Sequence, residues 1–509
     1  MISIFVSTDY ERKVADAIAS EYRLPELVTL LGQNHAAASS APASITVCEN
    51  GIKVFPNWHN TIPPVLFPDN IAYSSETLLG IVFSFLSNFE KAYTYLAHQP
   101  DLLAVVDLLN RIVHSVMPDE AWLVGNDSSF TFLHNKAIAL QYGNWQQPKP
   151  VQEIQKAYEA ALMAPAVPEQ QALTVKHYAT FLNDIDQPCQ SAQLIETFLA
   201  NQLSPDAQIE LKAVLCAAWL KKIAVPYDEA LLEKLKDTLW TCLQHYEKAG
   251  RNAETALLLI DASQVANISN SFAESLGYIN KAIGLLLAEN LTELVASAQL
   301  RKGMLLYTWA QNGQPQFYRA ALQALQEALT VFTREAAPDV FADIHHHLGV
   351  VYSEIQDEVK KKAVWAAVSV ASFTEALNFY NKVDYPYEFA MICHNFGNAY
   401  TKYPAALHSD NYDKALAWYR EALDIRTAVQ YPLERCNTLY NYLEASWLVG
   451  NPDESFNQDR FNEMWAVASE LHSLTTDEAL KAEVAEHMTQ LIRIKEDAWA
   501  GNAVTATVA

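Results

Sequence analysis

Few side chains in this sequence are placed to make or break a bond. His345-His346-His347 is its densest cluster of metal-ligand types. Successive residues of a helix point about 100° apart, so three in a row cannot share one ion. A pair drawn from neighbouring repeats is geometrically better, because His346 aligns with His394 and His345 with Cys393, 48 positions on. Zinc or nickel would need further ligands, and the spacing supplies none, so these histidines are expected to line a groove or a core. Cys48, Cys189, Cys216, Cys242, Cys393 and Cys436 stand apart with no C-x-x-C pairing, which fits reduced thiols rather than a zinc ribbon or redox motif. The chain has no G-x-S-x-G elbow, no H-E-x-x-H pair and no glycine-rich nucleotide turn. The expectation is therefore no catalytic residue, no metal and no cofactor.

Recognition by contact is the chemistry that remains. Counting from a recurrent glycine position, the residues three before and one, four and five after it form a mixed polar and aromatic stripe. They are Leu300, Met304, Tyr307 and Thr308, then His346, Val350, Ser353 and Glu354, then His394, Asn398, Thr401 and Lys402, then Tyr440, Glu444, Trp447 and Leu448. The candidate partner-binding groove is His346, Val350, Glu354, His394, Asn398, Thr401, Lys402, Tyr440, Glu444 and Trp447. Asn, Lys and His can reach the backbone or carboxylates of an extended ligand. Merely solvated residues would give a similar stripe. Lys360-Lys361-Lys362 ahead of AVWAAVSVASF is a basic step beside an apolar face. Ser369 and Phe373 already hold packing positions there, so a buried helix is expected, and an exposed Trp365 would mark a docking patch instead.

The elements that position these residues are internal repeats. Ala321 to Pro338 reads ALQALQEALTVFTREAAP, Ser369 to Pro386 reads SVASFTEALNFYNKVDYP, and Ala415 to Pro432 reads ALAWYREALDIRTAVQYP. The Glu-Ala-Leu leucines, Leu329, Leu377 and Leu423, are 48 and then 46 apart, and a proline follows nine residues after each. Gly303, Gly349, Gly397 and Leu443 recur at 46, 48 and 46. Glycine lets two helices approach to about 8 Å, and a large residue fills the hole; the partners expected are Leu325, Phe373 and Tyr419, four after Ala321, Ser369 and Ala415. Proline suits the first helical turn, so Pro338, Pro386 and Pro432 should each open a first helix.

Leu-Gly-x-x-Tyr, Ala-x-x-x-aromatic, Glu-Ala-Leu and the closing proline together resemble the tetratricopeptide repeat, a helix-turn-helix unit. These units are 12 to 14 residues longer than the usual 34. With Asn-Phe-Gly-Asn-Ala-Tyr at 395–400, they resemble the long arrays that accompany bacterial CHAT-type caspase-like proteases. No CHAT domain is read in the chain. The resemblance implies an all-α, right-handed α-solenoid that grips protein or peptide in its concave face.

Upstream, Ser275-Leu276, Ile279 and Ala282-Ile283 keep the frame. Coarser helical pairs follow at 128–143 with 150–163, 167–184 with 188–202, and 205–223 with 227–249. The organisation expected is a small irregular α/β cap over 1–74, degenerate helical repeats over 75–250, and tetratricopeptide-like repeats over 251–475. A capping helix over 476–498 and a disordered tail over 499–509 complete it. Within the cap, 2–6 reads as a strand, 10–22 as a helix and 45–55 as a hairpin turning at Asn50-Gly51. HAAASSAPAS at 35–44 reads as a linker, and the proline-rich stretch from Pro56 to Pro68 as an irregular cover on the first helices.

Composition agrees. The chain has only 14 glycines in 509 residues, far below the usual share of about 7%. Its net charge of −24 repels phosphodiester backbones, so nucleic acid is not an expected partner. Without a basic n-region or a spanning apolar run, neither export nor membrane insertion is expected, and the cytoplasm is the expected location. The sequence thus points to a non-enzymatic scaffold or adaptor for another protein or peptide. The alternative is a ligand- or metal-responsive sensor-regulator, in one version of a separately encoded protease.

Overall fold

The computed structural model describes residues 2–32, 45–54, 58, 65–69, 71–118, 120–123, 125, 127–143, 149–223, 227–405, 410–450 and 456–507. The expected linker at 35–44 and most of the Pro56 to Pro68 cover lie outside them. The chain divides into two compact units, Met1–Val265 and Ala266–Ala509.

The first unit opens with β1 (Ile2–Val6), α1 (Glu11–Ala19), β2 (Val28–Gly32), β3 (Ile45–Cys48) and β4 (Gly51–Val54). They form a mixed sheet ordered β2-β1-β3-β4, with β1 parallel to both neighbours and β3 antiparallel to β4. Gly51 takes φ +104° in the hairpin turn, and a Cβ there would run into the Ile71 carbonyl, so the Asn-Gly turn needs its glycine. The cap is more regular than the sequence suggests. β2 escaped notice because VTLLG neither alternates nor carries a turn signal of its own; only pairing with β1 defines it.

The helices of this unit are α2 (Ser75–Phe85), α3 (Phe89–Leu96), α4 (Pro100–Val113), α5 (Glu120–Leu123), α6 (Phe130–Tyr142) and α7 (Val151–Met163). They continue with α8 (Pro168–Asp184), α9 (Pro188–Phe198), α10 (Pro205–Lys222) and α11 (Glu229–Lys248), and α12 (Asn252–Ile268) carries the chain out of the unit. The sheet shares one core with the first helices: Ile4, Val6, Ile45, Val47 and Ile52 pack with Leu78, Ile81, Val82, Leu96 and Val106. Beyond it the helices pair in sequence, as α6 with α7, α8 with α9 and α10 with α11.

The second unit runs α13 (Phe272–Ala288), α14 (Thr292–Gln311), α15 (Tyr318–Leu329), α16 (Pro338–Glu354), α17 (Val359–Phe379) and α18 (Pro386–Tyr400). It ends with α19 (Asn411–Ile425), α20 (Pro432–Leu448), α21 (Gln458–Leu474) and α22 (Glu478–Thr507), whose helical backbone runs through part of the expected tail. The three prolines open α16, α18 and α20 as the repeat predicts, each after a non-helical residue. Each first helix packs on its own second helix, as α14 on α15, α16 on α17 and α18 on α19. Each second helix then meets the next first helix, and α16 touches α18 directly.

The seam inside each pair is small against large. A Cβ placed on Gly303 would lie 2.7 Å from Leu325 Cγ, one on Gly349 2.8 Å from Phe373 Cδ2, and one on Gly397 2.5 Å from Tyr419 Cε1. Phe373 is fully buried and Tyr419 nearly so. These are the partners that the repeat spacing assigns, and the unit is by its own geometry an all-α array of tetratricopeptide-type helix pairs. Among the described residues, no helix is long and apolar enough to cross a membrane.

Candidate protein-binding face

The glycine seam dictates which residues remain for recognition. A first helix turns its glycine face to its own second helix, so the flanking positions point toward neighbouring first helices or to solvent. The stripe predicted from sequence divides between these two fates.

His346 does not line a groove. It is only 3% exposed, its Nε2 accepts from Asn395 Nδ2 at 2.8 Å, and its ring stacks on His347. Position three before the glycine faces the next first helix, α18, and is sealed there. The pairing with His394 is likewise corrected: His394 Nδ1 lies 3.1 Å from Thr438 Oγ1, on α20. Asn398 Nδ2 donates to His394 Nε2 at 3.2 Å, and Asn398 Oδ1 accepts from Tyr419 at 2.7 Å and Asn441 at 2.8 Å. Asn398 is therefore a half-buried hub joining α18, α19 and α20, its side-chain oxygen filled by two donors and one of its amide N–H groups engaged by His394. Among the described residues, no group of three or more His, Cys, Asp or Glu side chains converges on a common point.

Further along the stripe the side chains are more accessible. Val350 packs beside the Phe373 cluster. Glu354 is half-buried and pairs with the exposed Lys402, tying α16 to α18. Thr401 bonds its hydroxyl to the Asn398 carbonyl at 2.8 Å. Tyr440 packs on the last cluster of the unit. Trp447 Nε1 donates to His487 Nδ1 at 2.9 Å, and His487 Nε2 sits 2.9 Å from Glu444 Oε1. The last helix, α22, thus covers part of α20. Lys402, Glu444 and Leu448 keep exposed surface.

Beside Lys402 a cavity of about 250 Å³ opens between the ends of α16 and α18 and the start of α17, lined by Tyr352, Glu354, Gln356, Lys362 and Trp365. Trp365 is half-buried, stacks on Tyr352 with ring centres 5.7 Å apart, and donates to Asp357 at 3.3 Å. It is a wall of this cavity rather than a free patch. Its neighbour Val364 is 59% exposed.

A second feature went unread in the sequence. Val383 and Val429, on the turns that precede α18 and α20, and Tyr387 and Leu433, in the first turns of those helices, are exposed. The rings of Tyr387 and Tyr431 meet at 5.5 Å across the two repeats. The signal was present as V-D-Y-P-Y and V-Q-Y-P-L, 46 residues apart, but an apolar turn is visible as a surface only once the fold fails to cover it.

Burial governs the imidazoles. Burial and His347 push His346 down to about 3, burial and Arg301 push His347 to about 4, and burial and Arg426 push His394 to about 4. The unfolded chain, with ordinary histidines near 6.5, takes up these protons first. The stability contributed by the neutral rings is complete above pH 6.5 and is lost as pH falls toward 4. Stability should therefore fall steeply over that window, by up to about 1.4 kcal/mol per histidine per pH unit, and the melting temperature with it. His394→Gln should flatten the drop, and an identical pH profile for that variant would contradict this origin.

No family model and no curated relative matches the chain. Among solved structures it is similar to yeast Tom70, at 9% identity over 83% of this chain and 89% of that one, with a TM-score of 0.37. It is also similar to the Cut9-Hcn1 hetero-tetramer of the APC/C, at 14% identity, 81% and 89% coverage and a TM-score of 0.26. A circular tandem repeat protein follows at 11% identity, 85% and 97% coverage and a TM-score of 0.19. The assignment of helix pairs rests on the chain's own seams.

Proposed function

We propose that this chain is a non-enzymatic, cytoplasmic scaffold or adaptor that holds a segment of a partner protein on the first-helix face of its second unit. The observation that carries the reading is the contrast along that face. A network of the buried His346 with the half-buried Asn395, His394, Asn398 and Asn441 locks three successive first helices together, and beyond it Glu444 and Leu448 project from α20 and Lys402 from the turn that ends α18. Side chains held rigid before binding lose less entropy on contact, which favours affinity without any catalytic group. The cavity beside Lys402 gives a partner side chain a seat.

Affinity capture from native lysate tests this. Lys402→Glu with Leu448→Asp alters the exposed positions and spares the Asn398 hub, and should reduce recovery of the main partner at least tenfold. Full retention would move the site elsewhere. The exposed turns favour a second reading, in which the partner docks on Val429 and Leu433; Val429→Asp with Leu433→Asp would then be the pair that releases it.

A further inference from the structure

In the first unit, residues of the N-terminal segment are held by side chains in the manner of a bound ligand. Asn135, on α6 and 3% exposed, accepts from the Leu66 N–H at 2.7 Å and donates to the Leu66 carbonyl at 2.9 Å. Gln170, on α8, donates to Asp69 at 2.6 Å. Trp58 donates its indole N–H to Glu169 Oε1 at 3.2 Å, and its carbonyl accepts from Arg251 Nη2 at 3.2 Å. Lys176 Nζ stands 6.0 Å from the centre of its ring. An amide closing on both backbone groups of one residue, a carboxylate on an indole N–H and a guanidinium on a carbonyl are contacts by which side chains can hold a bound peptide. A buried tryptophan is the usual anchor of such a chain.

Two observations indicate that this seat can be vacated and refilled. Its charges are paired without Trp58: Glu210 meets Lys176 and Arg251 at 2.5 Å each, Arg251 also meets Glu254 at 2.7 Å, and Tyr246 donates to Glu210 at 2.9 Å. Glu169 keeps its bonds to Ser204 as well. Removing the indole therefore strands no buried ion, which is the condition that makes release tolerable. Conversely, Trp58 does not saturate the seat. Arg251 Nε–H is buried and has no hydrogen-bond partner among the described residues, and a cavity of about 800 Å³ reaches Glu169 from Val54, Phe130 and Val167.

We propose that the Trp58 seat is a receptor site for a tryptophan-bearing segment of a partner protein, and that this chain's own Trp58 plugs it in the absence of that partner. Glu210 and Glu254 pair with the two cations, Lys176 and Arg251, and Glu169 on the indole N–H adds a third carboxylate, so the segment it takes is neutral or basic near its tryptophan. The orphan Arg251 N–H provides for a second acceptor, such as a backbone carbonyl.

The test uses the full chain and a fluorescein-labelled peptide reproducing residues 54–62, followed by fluorescence anisotropy. Trp58→Ala should bind the peptide at least tenfold more tightly than the wild type does. Adding Glu169→Ala to that variant, or replacing the tryptophan of the peptide by alanine, should abolish the gain. Trp58→Phe keeps a ring and loses the N–H; it should melt near the wild-type temperature and gain about two- to fivefold in binding, so misfolding of the alanine variant cannot hide the answer. Equal binding by wild type, Trp58→Ala and Trp58→Phe, whether tight or absent, would overturn the plug. A concentration-dependent wild-type dimer that Trp58→Ala abolishes would seat a second copy's tryptophan there and overturn the separate partner.

Discussion

Phe373→Ala is expected to destabilise the second unit by about 3–5 kcal/mol, the range for emptying a fully buried phenylalanine site. Phe373 is entirely inaccessible, fills the space left by Gly349, and stacks on Phe396 of the next first helix with ring centres 4.6 Å apart. Its loss therefore opens a hole inside one pair and at the junction with the next. The converse change, Gly349→Ala, drives a methyl group against the ring at 2.8 Å and should cost about 1–3 kcal/mol through overpacking. The two sites must be coupled. Gly349→Ala combined with Phe373→Leu should be less destabilised than the sum of its single changes by about 1 kcal/mol or more, read from denaturant midpoints. Strict additivity would mean that the seam does not hold the pair together.

The second large effect is predicted in the first unit. Glu210 is 4% exposed and receives Lys176, Arg251 and Tyr246. Glu210→Ala leaves two cations facing each other in a nearly dry site and should cost about 3–5 kcal/mol. Burial pushes the Glu210 carboxyl up, but the charges of Lys176 and Arg251 outweigh it and hold the group below its ordinary range. A carboxyl depressed in the folded state stabilises fully above the unfolded value, 4.5, and loses that contribution as pH falls through the folded value. The stability gap between wild type and Glu210→Gln should therefore narrow below pH 4.5. A gap that stays constant on acidification would show that the carboxylate's charge is not what the site uses.

What the sequence revealed and what it concealed separate by range. The seams of the pairs were legible because each is encoded within some 24 residues and written more than once: Gly349 with Phe373 and Gly397 with Tyr419 are the same sentence repeated. The helix starts at Pro338, Pro386 and Pro432 were legible because proline constrains its own backbone. Whether a flanking residue is exposed depends on the angle at which successive first helices meet, which no local pattern carries. His346 was accordingly placed in the open when it is sealed against Asn395, and Asn398 was read as a ligand donor when it bridges helices, accepting from Tyr419 and Asn441 and donating to His394. The Trp58 seat lay further out of reach, since its partners Glu169 and Arg251 are 111 and 193 residues away.

The central claim is that the second unit presents its first-helix face to a partner. Side-chain footprinting of the chain with and without the protein it captures tests that most directly. The account predicts protection of Lys402, Glu444 and Leu448, with the second helices α17 and α19 unchanged. Protection confined to those second helices, with Lys402, Glu444 and Leu448 as reactive as in the free chain, would contradict it.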